Sequence, residues 1–437
     1  MRLSFSIFLL TLIFFTSQPV QAQSKDTVKI MSYNVLSYRN FTSYCTSSNN
    51  STSTKENALE IIIDYTLPDI LAVCEMGSSP NGINAFHLMN NALNKNGRSY
   101  FQMANYTVTG NSSLTNMLYF NSNKFGLIAQ NQITHSINNV QLVRLIDEYI
   151  LYYKDSNLAQ HRDTTYFHFL VAHLKAGNTG GDRTERGLAT EAVMAYLDTI
   201  NATGNYFIMG DFNLYAPNEP AFLDLIAYNP DPSLNFQDPV NRIGNWSNNS
   251  SYADVHTQST RTSGGCGSSG GMDDRFDFIL CSDEVINNSD KVRYIPNTYW
   301  ALGQDGNRFN GNINSPTNNS VPNYVANALY DMSDHLPVLM DLEVTLPATN
   351  GIEVMNNNME VYFNNPIQNT LVINFKSSLN AIKSIEILDF SGKVVHRVEQ
   401  DLKQGISVDF SGKQKGVYFL KINKQNGSKH IDKLIKI

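Results

Sequence analysis

The segment Tyr206-Phe-Ile-Met-Gly-Asp-Phe-Asn213 constrains the chain most: an apolar run stops at a glycine and is followed at once by Asp211 and Asn213. Side chains alternate along a strand, so a strand here carries Asp211 and Asn213 to one face and Phe212 to the other. A carboxylate beside an amide at a strand end suits a place where water is activated and an anionic oxygen is held. The same residues also suit an Asx turn, in which Asp or Asn bonds its own backbone. Other segments have to decide between the two.

Several of them repeat the pattern. Thr27 to Val35 reads as a strand with Asn34 near its end, and Ile70-Leu-Ala-Val-Cys-Glu75 as a buried strand ending in a carboxylate. Such a carboxylate is costly unless it is paired, bound to a metal or simply exposed at the strand end. Tyr166 to Lys175 is almost entirely apolar and then puts His173 and Lys175 on one face, although a lone strand histidine is commonly a satisfied core residue. Ala58, Leu59, Ile62 and Ile63 recur at helical spacing before Pro68, as do Leu188, Val193 and Leu197, and a helix is also expected over Phe86–Leu93. Strand, helix, strand therefore precedes both Glu75 and Asp211. Met272 to Cys281 reads as a strand carrying Asp277 inward, and the adjacent Asp334 and His335 precede a final apolar strand. Residues 216–271 are loop-rich, and long irregular segments often carry function, which marks His256 and Arg261 as substrate contacts.

Met1-Arg2, an apolar run from Phe5 to Phe15 and Val20-Gln21-Ala22 have the form of an export signal cleaved after Ala22. The run falls short of the roughly 20 residues that span a bilayer, and no later stretch reaches that length, so a chain free of the membrane outside the cytoplasm is expected. Four cysteines remain, enough for two disulfides in an exported chain, with no zinc-like spacing; Cys266–Cys281 is the favoured pair. The net charge of −7 is uneven: residues 351–437 carry 12 Lys and Arg against 8 Asp and Glu, and residues 1–350 carry 20 against 31. A uniformly basic groove for duplex phosphates is not what that balance describes.

Asn34, Glu75, His173, Asp211 with Asn213, Asp277, and Asp334 with His335 thus each end or open a buried strand, in order. With YNV at 33–35, HLK at 173–175, GDFN at 210–213, RFDFIL at 275–280 and SDHLPV at 333–338, residues 25–345 resemble the endonuclease/exonuclease/phosphatase superfamily, deoxyribonuclease I-like proteins. The resemblance implies an α+β fold, a four-layer α/β/β/α sandwich with its site at one rim. It implies metal-assisted hydrolysis of a phosphoester: Glu75 with Asn34 and Asp334 around Mg²⁺, for which Mn²⁺ or Ca²⁺ could substitute. It further implies a His335–Asp277 dyad, Asp211 on the attacking water, and His173 and Asn213 on the phosphoryl oxygens. Lys175, His256, Arg261 and Arg275 are the candidate substrate contacts. Cys74 and Leu36 depart from the residues frequent at those places in the superfamily.

From residue 358 onward short alternating strands broken by turns read as a small antiparallel β-sandwich. Val361-Tyr-Phe-Asn-Asn-Pro366, Ile387 to Lys393, Gly416 to Lys421 and Lys433 to Lys436 resemble the type IX secretion C-terminal sorting domain, which implies the outer-membrane secretion machinery as a partner. The expected organisation is a signal peptide over 1–22, a catalytic domain over 23–346, a linker over 347–357 and the sorting domain over 358–437, secreted through the periplasm as a monomer. The implied substrate is extracellular DNA or RNA; the alternative is phosphatase or phospholipase-type phosphodiesterase action on inositol phosphates, nucleotides or sphingolipids.

Overall fold

Ile70–Gly77 and Tyr166–His173 are apolar on both faces, so each needs cover from two sides, and two stacked sheets with helices outside provide it. The structure, a computed structural model, describes residues 24–346 apart from 109–111, 157 and 159–162, and residues 361–437 apart from 376–381, 390–391, 400–404 and 426–428. The expected signal peptide, the linker and residues 358–360 lie outside the described residues. The chain divides into two compact units, Met1–Thr349 and Asn350–Ile437.

In the first unit the chain runs β1 (Lys25–Tyr38), α1 (Thr52–Thr66), β2 (Ile70–Gly77), α2 (Ile83–Leu88), β3 (Phe101–Met103), β4 (Leu114–Asn121), β5 (Phe125–His135), β6 (Gln141–Tyr153) and β7 (Tyr166–His173). It continues through α3 (Gly180–Thr199), β8 (Tyr206–Asp211), α4 (Pro220–Ile226), β9 (Phe236–Gln237), β10 (Asp277–Ser282), α5 (Asp283–Asn287), β11 (Val292–Tyr294), β12 (Trp300–Ala301), α6 (Asn323–Met332) and β13 (Val338–Thr345). One sheet has the order β11-β13-β1-β2-β4-β3, with β12 on β13, and the other β5-β6-β7-β8-β10-β9.

One core cluster joins both sheets and α1: Tyr33, Val73 and Leu118 belong to it with Phe167, Phe207, Met209 and Ile279, and so do Leu59 and Ile62. A second lies under α3 and α4, where Val193, Leu197 and Phe222 meet Ile208 and Phe278. Alternate residues of β8 therefore enter different cores, and each fully buried apolar side chain stabilises by about 2 kcal/mol. The result is the four-layer α/β/β/α sandwich of an α+β fold. Among the described residues no helix is long and apolar enough to cross a membrane.

The second unit is antiparallel: β14 (Val361–Phe363), β15 (Thr370–Phe375) and β18 (Gly405–Asp409) form one sheet. A second sheet contains β16 (Ile382–Asp389), β17 (Val394–Val398), β19 (Gly416–Lys424) and β20 (Lys429–Lys436). Leu371, Ile373, Ile385, Ile387 and Leu420 close its own core.

Register is what gathers the polar residues. β7 and β8 run parallel, with His173 opposite Asp211, and β10 lies antiparallel on the other side with Asp277 opposite Asp211. β1 and β2 are parallel, with Asn34 opposite Cys74, while β13 starts at the end where β1 finishes. Gly210 makes the close packing next to Asp211 feasible: its φ is +139°, and a Cβ there would overlap the Ala172 carbonyl oxygen of β7. Gly210→Ala is expected to lower stability by about 3 kcal/mol or more, read as a fall in the denaturant midpoint, since β7 and β8 must part to admit the methyl group. An unchanged midpoint would show that this strand pair tolerates the separation.

The disulfide differs from the expected one. Cys45 is bonded to Cys266, 221 residues away, while Cys281 and Cys74 are buried free thiols. Cys281 lies in β10 facing the inter-sheet core, where Cys266 does not reach; Cys266 packs with Cys45 and Leu36 beside the rim.

Candidate active site at the shared rim of the two sheets

Asp211 ends β8 fully buried, and the cluster is built around it. Asn34 reaches across from β1 and donates through Nδ2 to Asp211 Oδ2 and to Glu75 Oε1, 3.0 Å each. His173 Nε2 lies 3.7 Å from Asp211 Oδ2 and 3.6 Å from Glu75 Oε1. On the other side His335 binds Asp277 Oδ2 through Nδ1 at 2.7 Å, which turns Nε2 to within 3.8 Å of Asp211 Oδ2. Glu75, His173 and Asp211 each present one ligand atom within 4.8 Å of the others, as do Asp211, Asp277 and His335.

Glu75 owes its aim to a local break in β2. The pairing of β2 with β4 shifts between Val73 and Met76, and Glu75 itself has φ +58°. A bulge re-aims a side chain at the expense of local strain. Ser37, whose φ is +48°, closes the other side by donating its N–H to Glu75 Oε2 at 3.2 Å.

Burial, with the Asp277 and Glu75 carboxylates behind it, raises Asp211 to about 7 against the pull of His335 and of the Asn34 hydrogen bond. Burial would lower His335, but the charges of Asp277, Asp211 and Asp334 outweigh it and raise His335 well above the ordinary imidazole value. His173 goes the other way: burial, then Arg144 and His335, push it well below, so it is a neutral imidazole. The site thus pairs a carboxylate titrating near neutrality with an imidazole disposed to be cationic.

The remaining expectations divide. Asn34 does not offer its oxygen as a ligand: Oδ1 accepts from the Leu36 N–H at 2.9 Å, and the amide hydrogens bracket two carboxylates. Asp334 does not share an ion-sized space with Glu75 either; the groups that do are His173 and Asp211. Asp334 Oδ2 accepts from the Ser268 N–H at 2.6 Å and from Gln258 Nε2 at 3.4 Å, while Oδ1 is buried without a partner 3.9 Å from His335 Nε2. Asn213, at φ +52°, breaks the alternation expected after Asp211. Its N–H donates to Asp211 Oδ1 at 3.0 Å and its Nδ2 to the Leu174 carbonyl at 3.3 Å, so it closes the turn that holds Asp211 instead of facing a phosphoryl group.

Among the expected substrate contacts, Arg275 is fully buried, gripped by Asp238 through two hydrogen bonds of 2.9 and 2.8 Å, and its guanidinium lies over Phe278. His256 is equally buried, with Nε2 on the Trp246 carbonyl at 2.7 Å. Lys175 binds Asp182 at 2.7 Å. Burial withdraws Arg275 and His256 from a substrate, while Lys175 stays partly exposed in its pair with Asp182. Arg261 remains beside the rim.

Gln258 was not anticipated. Its Nε2 lies 2.6 Å from His335 Nε2, where it donates to a neutral ring, and the amide must turn its oxygen inward to face the protonated one. Ser333 was missed as well: its hydroxyl donates to the Asn34 carbonyl at 2.7 Å and accepts the His335 N–H at 3.1 Å. A glutamine in a long polar loop and a serine before Asp334 carry no signal of their own; proximity in the fold singles them out.

The donor set fits a hard divalent cation, since Glu75 and Asp211 offer carboxylate oxygens and neutral His173 a nitrogen within one small space. Residues 31–335 match the profile of the Endonuclease/Exonuclease/phosphatase family and residues 361–437 that of the secretion system C-terminal sorting domain. The human nocturnin catalytic domain with bound sulfate is a structural neighbour at 16% identity and TM-score 0.45, over 73% of this chain and 97% of that one. An endonuclease/exonuclease/phosphatase from Bacteroides vulgatus aligns over 73% and 99% at 13% identity and TM-score 0.45. TDP2 from D. rerio, complexed with a single strand DNA product, aligns over 72% and 98% at 12% identity and TM-score 0.43. None of the curated proteins matches the sequence.

Proposed function

The chain belongs to the endonuclease/exonuclease/phosphatase family and carries a secretion sorting domain at its C-terminus, and from that premise we propose that it is an exported, divalent-cation-dependent phosphodiester hydrolase acting on DNA or RNA outside the cell. The observation that carries this reading is the single hydrogen-bonded cluster in which Asn34 links Glu75 to Asp211 while the His335–Asp277 pair faces the same carboxylate.

In that reading Glu75 and Asp211, with His173, would hold the cation, Mg²⁺ first among hard ions that take oxygen ligands. Such an ion supplies charge neutralisation for the phosphoryl oxygens and the leaving group. Asp211, held by the Asn34 amide between His173 and His335, would orient the attacking water and accept its proton. His335, fixed in tautomer and direction by Asp277, presents positive charge where negative charge builds on the phosphoryl group. Asp334, with its unpartnered Oδ1, adds to the field that keeps His335 protonated. The sorting domain, together with an N-terminal signal peptide, accounts for delivery outside the cell.

A second reading has a specific observation in its favour. With Arg275 and His256 in the core, the extended row of substrate-facing cations that a long nucleic acid would use is reduced to Lys175, paired to Asp182, and Arg261 among the expected contacts. That favours a phosphatase or phosphodiesterase for small phosphorylated molecules.

The test is hydrolysis by the purified chain of plasmid DNA, RNA, inositol polyphosphates and sphingomyelin, each in Mg²⁺ and in EDTA. Cleavage of nucleic acid that EDTA abolishes is the expected result. Release of phosphate or phosphocholine with nucleic acid intact selects the second reading, and hydrolysis of nothing in Mg²⁺ or Mn²⁺ removes both.

A further inference from the structure

Beside the rim lies a polar cavity of about 140 Å³ whose walls include Asn50, Ser51, Thr54, Lys55 and Arg261. Leu36 lines it too and separates it from the cluster: a Cβ on Gly267 would sit 2.7 Å from Leu36 Cδ1 and 2.6 Å from Asp334 Oδ2, so these two side chains are near neighbours. The cavity is therefore one side chain away from the residues that surround Asp211. The Cys45–Cys266 bond packs on that same leucine.

Two features give the cavity a positive character. The 15-residue helix α1 begins there, with Ser51 as its N-cap, and a helix N-terminus presents N–H groups and partial positive charge. Independently, Arg261 is 8% exposed, and its Nε is buried without a hydrogen-bond partner among the described residues while Nη2 binds the Tyr330 carbonyl. Lys55 is 3% exposed with its amine on the Val35 and Met332 carbonyls, and burial lowers it to about 7, so it adds only part of a charge at neutral pH. Against these stands Asp331, exposed at the mouth. A buried guanidinium with no hydrogen-bonded carboxylate among the described residues, beside an open polar space, leaves a positive charge that an anion in that space would satisfy. Asn50 Oδ1, also buried and unpartnered, offers an acceptor to a hydroxyl next to that anion.

We propose that this cavity takes a second, uncleaved phosphate group of the substrate while the scissile one lies at Asp211 and His335. The preferred substrates are then phosphoesters with two phosphate groups a few ångströms apart, whether neighbours along a nucleic acid or two groups on a small molecule. The inference rests on the phosphoesterase reading and narrows it.

Two variants test it. Arg261→Gln removes one cation, and Thr54→Glu puts a carboxylate into the cavity from an exposed position in the first turn of α1, where an acid suits the helix. The first measurement is calorimetric titration of the full chain with inorganic phosphate in EDTA. Wild type should bind, and both variants should bind at least about tenfold more weakly; no binding by wild type, or equal binding by all three proteins, overturns the site. The second is the KM ratio, in Mg²⁺, between a dinucleotide with a 5′-phosphate and one without, and between an inositol bisphosphate and a monophosphate. Wild type should favour the doubly phosphorylated member of at least one pair by about tenfold, and the variants should lose that preference through KM. Whichever pair responds identifies the source, and equal KM values within both pairs in an active wild type refute the proposal. Failure of the underlying reading looks different: no substrate is hydrolysed, while phosphate affinity and its loss in the variants persist.

Discussion

Turnover is expected to fall by about 10³-fold when His335 is replaced by alanine. Nothing else in the cluster can take its place. His173 is neutral and lies on the far side of Asp211, between that carboxylate and Glu75. The 2.7 Å contact with buried Asp277 is what points His335 Nε2 into the site. Alanine also leaves Asp277 buried without its cation, and breaking a buried pair costs about 3 kcal/mol. His335→Gln, which keeps a donor for Asp277, separates the chemistry from the fold: a folded His335→Gln enzyme with wild-type turnover would exclude His335 from the reaction. A pH titration of stability in EDTA gives an independent reading. Because the native pKa of His335 lies above its unfolded value near 6.5, its contribution is fully present below that pH and is lost as the pH rises through the native value. The melting-temperature gap between wild type and His335→Gln should therefore be widest in mild acid and close in base. A gap independent of pH would mean that the imidazole gains nothing from the three carboxylates around it.

The sequence shows the strands and their polar ends because burial on both faces leaves so few alternatives. Tyr206–Asp211 is apolar until it reaches the rim, and the residue at which the apolar run stops is the residue that faces the site. What escapes such reading is geometry that departs from ideal strands and partners far away in the chain. Alternation predicts that Asn213 follows Asp211 to the same face, but its left-handed φ turns it back, and the two interpretations of Asp211 prove compatible: it closes an Asx turn and also faces the cluster. Asn34 lies where a ligand was expected, yet which way an amide turns is decided by its neighbours, here the Leu36 N–H on one side and two carboxylates on the other. His256 sits in a stretch whose composition resembles an exposed loop, and Arg275 follows it in the expected strand from Met272. The segment instead folds over the second core, with Trp246 buried and Arg275 paired to Asp238, 37 residues before it. Sequence proximity favours Cys281 as the partner of Cys266, whereas distance in the fold decides a disulfide, and that selects Cys45.

The second large effect is expected at Glu75, and it is argued from strain as much as from charge. A glutamate at φ +58° in a bulged strand is held in an unfavourable backbone state, about 1 kcal/mol or more above an ordinary strand. Its carboxylate is also close enough to Asp211 for the Asn34 amide to bridge both. Without a cation, two neighbouring carboxylates repel; with one, they become its ligands. Glu75→Gln keeps the size of the side chain and removes one of these charges. In EDTA the variant should melt at the same temperature as wild type or higher, the usual relation between stability and a site built for function. In Mg²⁺ the order should reverse, because wild type gains stability from binding and the variant does not. Turnover should drop by about 10³-fold, and calorimetry should show Mg²⁺ affinity lower by tenfold or more. If Glu75→Gln binds Mg²⁺ as wild type does, the ion is not held at Glu75. If wild type retains full activity in EDTA, the carboxylate pair serves some purpose other than holding a cation, and the hydrolysis must then be explained from Asp211, Asp277 and His335 alone.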